Sequence, residues 1–138
     1  VLVVDTSAAL DVLAGQAPDP RLVARLAEDG DLHAPHLVDV EFLGGLRRLW
    51  EAGELDEGRA EDARADWAQL AIVRYPHEGL VERIWQLRHN LTAYDAAFVA
   101  LAEELGAPLV TCDSLLGDAP GHRAVVEVYG PGGASAEL

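Results

Sequence analysis

The sequence predicts an α/β protein in which a mostly parallel sheet carries helices on both faces. Short apolar runs read as strands, and helical patterns stand between them: VLVV, DLHAP, AIVRYP, PLVT and AVVEVY follow one another along the chain. Strands that alternate with helices pair in parallel, and a parallel sheet buries both its faces. With 138 residues, half of them apolar, the chain can bury a core, and its length favours one domain. That domain is expected over residues 1–130, and GPGGASAEL leads into a tail, 131–138, expected to be mobile.

Each element has a local cause. Val1 to Val4 form an apolar strand bounded by Asp5-Thr6-Ser7, a good N-cap cluster, after which AALDVLA starts a helix. A turn at GQAPDP leads into RLVARLAEDG, with Leu22, Val23 and Leu26 on one face and Gly30 as the stop. DLHAP is a short strand before a helix expected from about His36 to Glu51. Beyond Gly53 lies a polar helix containing Trp67, then the strand AIVRYP. After Pro76, the residues Leu80, Ile84, Leu87 and Leu91 fall on one helix face, and Tyr94, Phe98, Leu101 and Leu105 repeat that spacing before Gly106.

Composition removes several chemistries. The formal charge is −14, from 24 acids against ten basic residues, all ten of them arginine. Without lysine there is no Walker lysine, no Schiff base and no lysine partner for a phosphorylated aspartate. So acidic a chain does not hold nucleic acid by bulk electrostatics, and it attracts a basic protein partner instead. The single Cys112 cannot form an internal disulfide and is read as a buried, inert thiol. No apolar run is long enough to span a membrane, and VLVV meets Asp5 too early for a signal-peptide core, so a soluble, cytoplasmic protein is expected.

Four acids stand at telling points. Asp5 and Asp113 both fall where a strand runs out, and ligands of parallel sheets bind outside such ends. Each also suits a helix cap. Asp95 fits a capping box with Thr92 in front of an apolar helix. On the helix that begins near His36, the residues Val38, Phe42, Leu43, Leu46, Leu49 and Trp50 form the apolar arc. Glu41 lies outside it with Gly44, Gly45 and Arg48, a position that also suits a solvated glutamate. Interior helical glycines cost about 1 kcal/mol each, so a close approach to that face is expected. Asp39 lies within the arc as a first-turn acid.

Should the four acids converge, repulsion is severe: two unit charges about 5 Å apart cost roughly 3 kcal/mol at an effective dielectric of about 20. A divalent cation removes that cost. Oxygen-only ligands favour Mg²⁺ or Mn²⁺, and the chemistry matched is in-line phosphodiester hydrolysis.

The stretches VVDTSAAL, APHLVDVEFLGGLRRL and LTAYDAAFVALAEELGAPLVTCD, with the strand that follows, resemble the PIN-domain nucleases, most closely the VapC-type toxins. The resemblance spans nearly the whole chain. It implies a five-stranded α/β/α three-layer sandwich and endoribonuclease activity with Mg²⁺, for which Mn²⁺ substitutes. It also implies RNA as substrate, a homodimer, and inhibition by a VapB-like antitoxin. The family's four metal-holding acids carry over to Asp5, Glu41, Asp95 and Asp113, and its small hydroxyl residue to Thr6 or Ser7, either of which a helix cap explains as well. Asp118 is a candidate outer-sphere acid or a solvated loop residue, and Arg47 and Arg48 are candidate contacts to RNA or antitoxin or simply solvated surface arginines.

Rival readings are weaker. A phosphotransfer receiver needs a lysine, and a dehalogenase-type phosphatase needs an aspartate where Ser7 stands. The five histidines are scattered, without a pair at one site. A non-catalytic PIN-like binding module is the remaining alternative, and four retained acids weigh against it.

Overall fold

The structure, a computed structural model, describes residues 1–130; the expected tail, 131–138, lies outside the described residues. Five strands pair entirely in parallel in the order β3-β2-β1-β4-β5. They are β1 (Leu2–Val4), β2 (Leu32–Pro35), β3 (Ile72–Tyr75), β4 (Leu109–Thr111) and β5 (Val126–Val128). From β1 the chain steps outward through β2 to β3, then crosses back to lay β4 on the other side of β1. Right-handed crossovers therefore place the helices of the two halves on opposite faces. The expected sandwich is the observed one.

On the first face lie α1 (Thr6–Ala14), α2 (Pro20–Glu28), α3 (Val38–Glu51) and α4 (Glu57–Gln69); on the second, α5 (Val81–Gln86) and α6 (Ala93–Leu105). A short α7 (Ser114–Asp118) joins β4 to β5. Their starts are written in the sequence. Asp5, Asp19, Asp56, Thr92 and Asp113 each cap the helix that follows by accepting a backbone N–H, and α2 adds Pro20 in its first turn. Gly106 ends α6 in the left-handed region at φ 61°, where its missing side chain removes the steric penalty.

β1 is buried along its whole length, as a central parallel strand must be. Against it, β2 and β4 lies α6, whose residues Ala96 to Ala102 are all buried. On the opposite face Phe42 of α3 stacks on Trp67 of α4, with ring centroids 4.3 Å apart. Asp39, the acid inside the apolar arc, is held there by three donors: Trp67 Nε1 at 2.9 Å and Arg74 Nε and Nη2 at 2.6 and 2.9 Å.

Four expectations shift. The helix expected from about His36 starts at Val38, and the His36 and Leu37 amides before it bond to the Tyr75 carbonyl and His77 Nε2. The helix expected over Leu80 to Leu91 is a 3₁₀ turn (Glu78–Leu80), the short α5, and then a turn in which Leu87 and Arg88 make three-residue bonds. Its apolar residues nevertheless face the core, with Leu80 and Leu87 buried. Tyr94, expected on the buried face of α6, is 65% exposed. Thr92 and Ala93 beside it are exposed as well, so this first turn projects beyond the strand ends and finds nothing to pack on. Likewise, in α3 the buried stripe is Val38, Phe42 and Leu46, while Leu43 and Trp50 are exposed.

The second face is tied down by Glu103 of α6, whose side chain is 3% exposed. It accepts from Arg83 Nε at 2.7 Å, Arg83 Nη2 at 2.9 Å and the Arg123 amide at 2.7 Å, which holds its carboxyl below the usual range. Glu103→Ala leaves that cluster of donors without a carboxylate and is expected to cost about 2 kcal/mol, read as a lower urea midpoint at unchanged slope. A carboxyl lowered in the folded state stabilises fully above the ordinary glutamate value of 4.5 and loses that contribution as pH falls through the lowered value. Glu103→Gln is therefore expected to lose less stability than wild type between neutral and acid pH.

Candidate active site

The order of the sheet reverses between β1 and β4, and a parallel sheet opens a crevice at the C-terminal side of such a point. Asp5 follows β1 and Asp113 follows β4 by two residues, so both acids stand at the crevice because of where their strands stop. Asp95 arrives from the opposite side, in the first turn of α6. Glu41 arrives from the first turn of α3. All four line one cleft of about 240 Å³, with Thr6, Ser7 and Arg48 also in its walls.

Asp5 is its most enclosed member, 6% exposed. Its Oδ1 accepts the Thr6 amide at 2.8 Å, and its Oδ2 accepts the Ser7 hydroxyl at 2.8 Å and the Thr111 hydroxyl at 2.7 Å. Thr111 Oγ1 in turn accepts the Asp113 amide at 3.0 Å, and Ser7 Oγ accepts the Cys112 amide at 2.9 Å. Two hydroxyls thus lock the end of β1 to the end of β4. Both Thr6 and Ser7 serve the acids, for Thr6 Oγ1 donates to Glu41 Oε1 at 2.8 Å.

Burial pushes the carboxyl of Asp5 up, against the three hydrogen bonds that lower it, and the charge of Asp113 adds to the rise. Glu41 is raised first by burial and then by the charges of Asp5 and Asp95; Thr6 and, more weakly, Arg48 oppose this. Asp95 is raised by burial and by Asp5 and Asp113, with Thr92 opposing. The acids therefore sense one another, and among the described residues none of the four is in an ion pair. Among the described residues no three His, Cys, Asp or Glu side chains stand close enough together to hold a metal ion; the four carboxylates line the cleft walls instead. An all-oxygen donor set of mutually repelling carboxylates and hydroxyls fits a hard divalent cation.

The helix caps and the site turn out to share residues rather than compete. Asp113 caps α7 through Oδ1, which accepts the Leu115 amide at 2.9 Å, and Thr92 Oγ1 accepts the Asp95 amide at 3.2 Å, while both acids still line the cleft. The close approach expected at the glycine face of α3 is real but intramolecular: a Cβ on Gly45 would collide with Leu10 Cδ1 of α1. Asp118 is exposed at the end of α7 and outside the cleft wall. Arg47 and Arg48 part company. Arg47 pairs with Glu51 at 2.7 Å on the outer face, whereas Arg48 borders the acids. Thr111 was not foreseen; its one sequence signal is a hydroxyl residue closing an apolar strand two positions before an acid.

Comparison with known proteins agrees with this geometry. The PIN domain family matches residues 2–121. Ribonuclease VapC9 of Mycobacterium tuberculosis (strain ATCC 25618 / H37Rv) is 49% identical over 118 residues, covering 86% of this chain and 90% of that protein. PAE2754 from Pyrobaculum aerophilum has the same fold, with a TM-score of 0.67 at 21% identity over 91% of this chain and 81% of that one. So does VapBC2 from Rickettsia felis, solved bound to a DNA fragment from their promoter, with a TM-score of 0.61 at 12% identity over 94% of this chain and 98% of that one. Matched over most of its length by the family and nearly half identical to a VapC ribonuclease, this chain belongs to the PIN-domain family, among its VapC-type members.

Proposed function

We propose that this chain is a Mg²⁺- or Mn²⁺-dependent endoribonuclease, the toxin of a toxin–antitoxin pair. The observation that carries the reading is the meeting of Asp5, Glu41, Asp95 and Asp113 in one cleft at the sheet's switch point. The ribonuclease name of its relative VapC9 supports the substrate class. In this reading the four acids would hold the cation, which would supply Lewis-acid chemistry for phosphodiester hydrolysis. The chain's own residues prepare that step. Ser7 and Thr111 fix the Asp5 carboxylate, and Thr6 fixes Glu41, so two acids are oriented before any ligand arrives. A VapB-like antitoxin is the proposed inhibitor, by likeness to VapBC2, and a homodimer is the proposed active form. No helix among the described residues is long and apolar enough to cross a membrane, and the cytoplasm is the proposed compartment.

Asp95→Asn separates metal holding from capping. Asparagine keeps a side-chain oxygen near Thr92 but removes the charge. Cleavage of single-stranded RNA in Mg²⁺ is expected to fall at least about 100-fold, equivalent to roughly 2.7 kcal/mol in the barrier. EDTA is expected to abolish cleavage by the wild type. Near-normal cleavage by the variant would leave Asp95 as a helix-start residue only.

Added Mg²⁺ is expected to raise the melting temperature of the wild type more than that of Asp95→Asn, since a ligand stabilises only the state that binds it. Without metal, the variant is expected to be at least as stable as the wild type, because one repelling charge is gone. Equal Mg²⁺ shifts in both proteins would count against Asp95 as a ligand.

Antitoxin affinity is expected to weaken as salt rises, because a chain of charge −14 attracts a cationic inhibitor. Titration of the complex at low and high ionic strength checks this, and an unchanged affinity removes electrostatic attraction from the account.

A further inference from the structure

The carboxylate cleft opens into a larger groove of about 610 Å³. Ser7, Leu10 and Arg48 border both spaces, so they are two compartments of one depression. The groove lies between α1 and α3 and is closed by the turn before α4. Leu10, Leu49 and Leu55 give it an apolar floor, and Asp11 and Glu54 stand in its wall. Its volume falls within the range of small-molecule pockets, about 300–1,000 Å³, and suits one nucleoside.

The lining says which part of an RNA strand fits. Two carboxylates repel a phosphate, so the backbone does not run through the groove. An apolar floor suits the face of a base, and carboxylates at the wall accept hydrogen bonds from exocyclic amines. Cys112 completes the wall on the side of β4. At the junction stands Arg48. It makes no ion pair among the described residues, unlike its neighbour Arg47, and it is the cation that lines the acid cleft.

We propose that the groove seats one nucleoside next to the scissile bond, and that Arg48 holds the phosphate lying between that nucleoside and the carboxylates. The base is one that carries an exocyclic amine. This rests on the ribonuclease reading above, and it adds a binding residue and a base-recognising compartment to the four acids. Arg48 offers planar, forked donors that match phosphate geometry. It also supplies positive charge at the one place where the strand must pass between two acidic compartments.

The test is steady-state cleavage of single-stranded RNA in Mg²⁺ by the wild type, Arg48→Ala, Arg48→Lys and Arg59→Ala, the last removing an arginine outside both compartments. Arg48→Ala is expected to raise KM about ten-fold with little change in kcat, the loss of one charged hydrogen bond. Arg48→Lys is expected to recover part of it, and Arg59→Ala to match the wild type. The salt dependence of kcat/KM should become shallower by about 0.7 in the log–log slope for Arg48→Ala, the share of one phosphate contact on a single strand. In substrates carrying a single abasic nucleotide, scanned along the strand, wild-type KM should rise when the gap adjoins the cleaved bond on one side only. Kinetics of Arg48→Ala indistinguishable from those of Arg59→Ala, or indifference to every abasic position, would overturn the proposal. So would unchanged RNA kinetics with weakened antitoxin binding, which would give the groove to the protein partner. If the wild type cleaves no RNA, the ribonuclease reading falls first and this one with it; wild-type cleavage with Arg48→Ala unaltered removes this one alone.

Discussion

The structure turns on a buried carboxylate at the end of its central strand. Asp5 is nearly out of water, and a charge so placed persists only with enough hydrogen bonds around it. Its donors come from three different places: the Thr6 amide at the start of α1, the Ser7 hydroxyl one residue on, and the Thr111 hydroxyl at the end of β4. Satisfying Asp5 therefore requires β1 and β4 to lie side by side and end level, with α1 leaving at that point. The switch in strand order and the charge at its mouth support each other.

The remaining acids depend on that arrangement. Thr6, fixed as the first residue of α1, reaches Glu41, so the first turn of α3 is set by the cap of α1. Gly45, one turn further along α3, admits Leu10 and lets the two helices approach closely, which keeps Glu41 within reach of the hydroxyl. The Asp113 amide donates to the same Thr111 hydroxyl that serves Asp5. Asp95 is the exception. It is delivered by α6 from the other face, its amide bonded to Thr92, and its carboxyl meets the others through charge rather than through a shared hydrogen bond.

Much of this was legible because strand ends and helix starts have local signatures. VLVV followed by Asp5-Thr6-Ser7, and PLVT followed closely by Asp113, mark strand ends whose acids must face a common edge once the strands are parallel. Thr92 and Asp95 mark a helix start at that edge. What escaped the sequence depends on relations between elements. Gly45 announced a close approach without saying that Leu10 would make it. Thr111 looked like one more strand residue until β4 was set beside β1. Tyr94 has the right spacing for the core, but its turn lies beyond the sheet, and periodicity carries no information on where a neighbouring element stops. Arg47 and Arg48 are adjacent in sequence and differ only by the rotation of about 100° per residue that sends one outward to Glu51 and the other toward the acids.

The arginines also explain how so acidic a chain could act on RNA. Among them, Arg25 is bound to Glu127, Arg74 to Asp39 and Arg83 to Glu103, each joining separate elements, while Arg47 and Arg64 pair along their own helices with Glu51 and Glu61. The charge of these five is thus committed to holding the protein together and is neutralised where it stands, and the 24 acids leave a field that repels phosphate at a distance. Encounter with an anionic strand gains nothing from that field. In the reading proposed above, selectivity comes from contacts made at short range: a cation held by the carboxylates, a guanidinium beside them, and an apolar surface for a base. Short-range contacts of that kind discriminate between strands by shape and by hydrogen-bonding edges, whereas a basic surface would have held every strand alike.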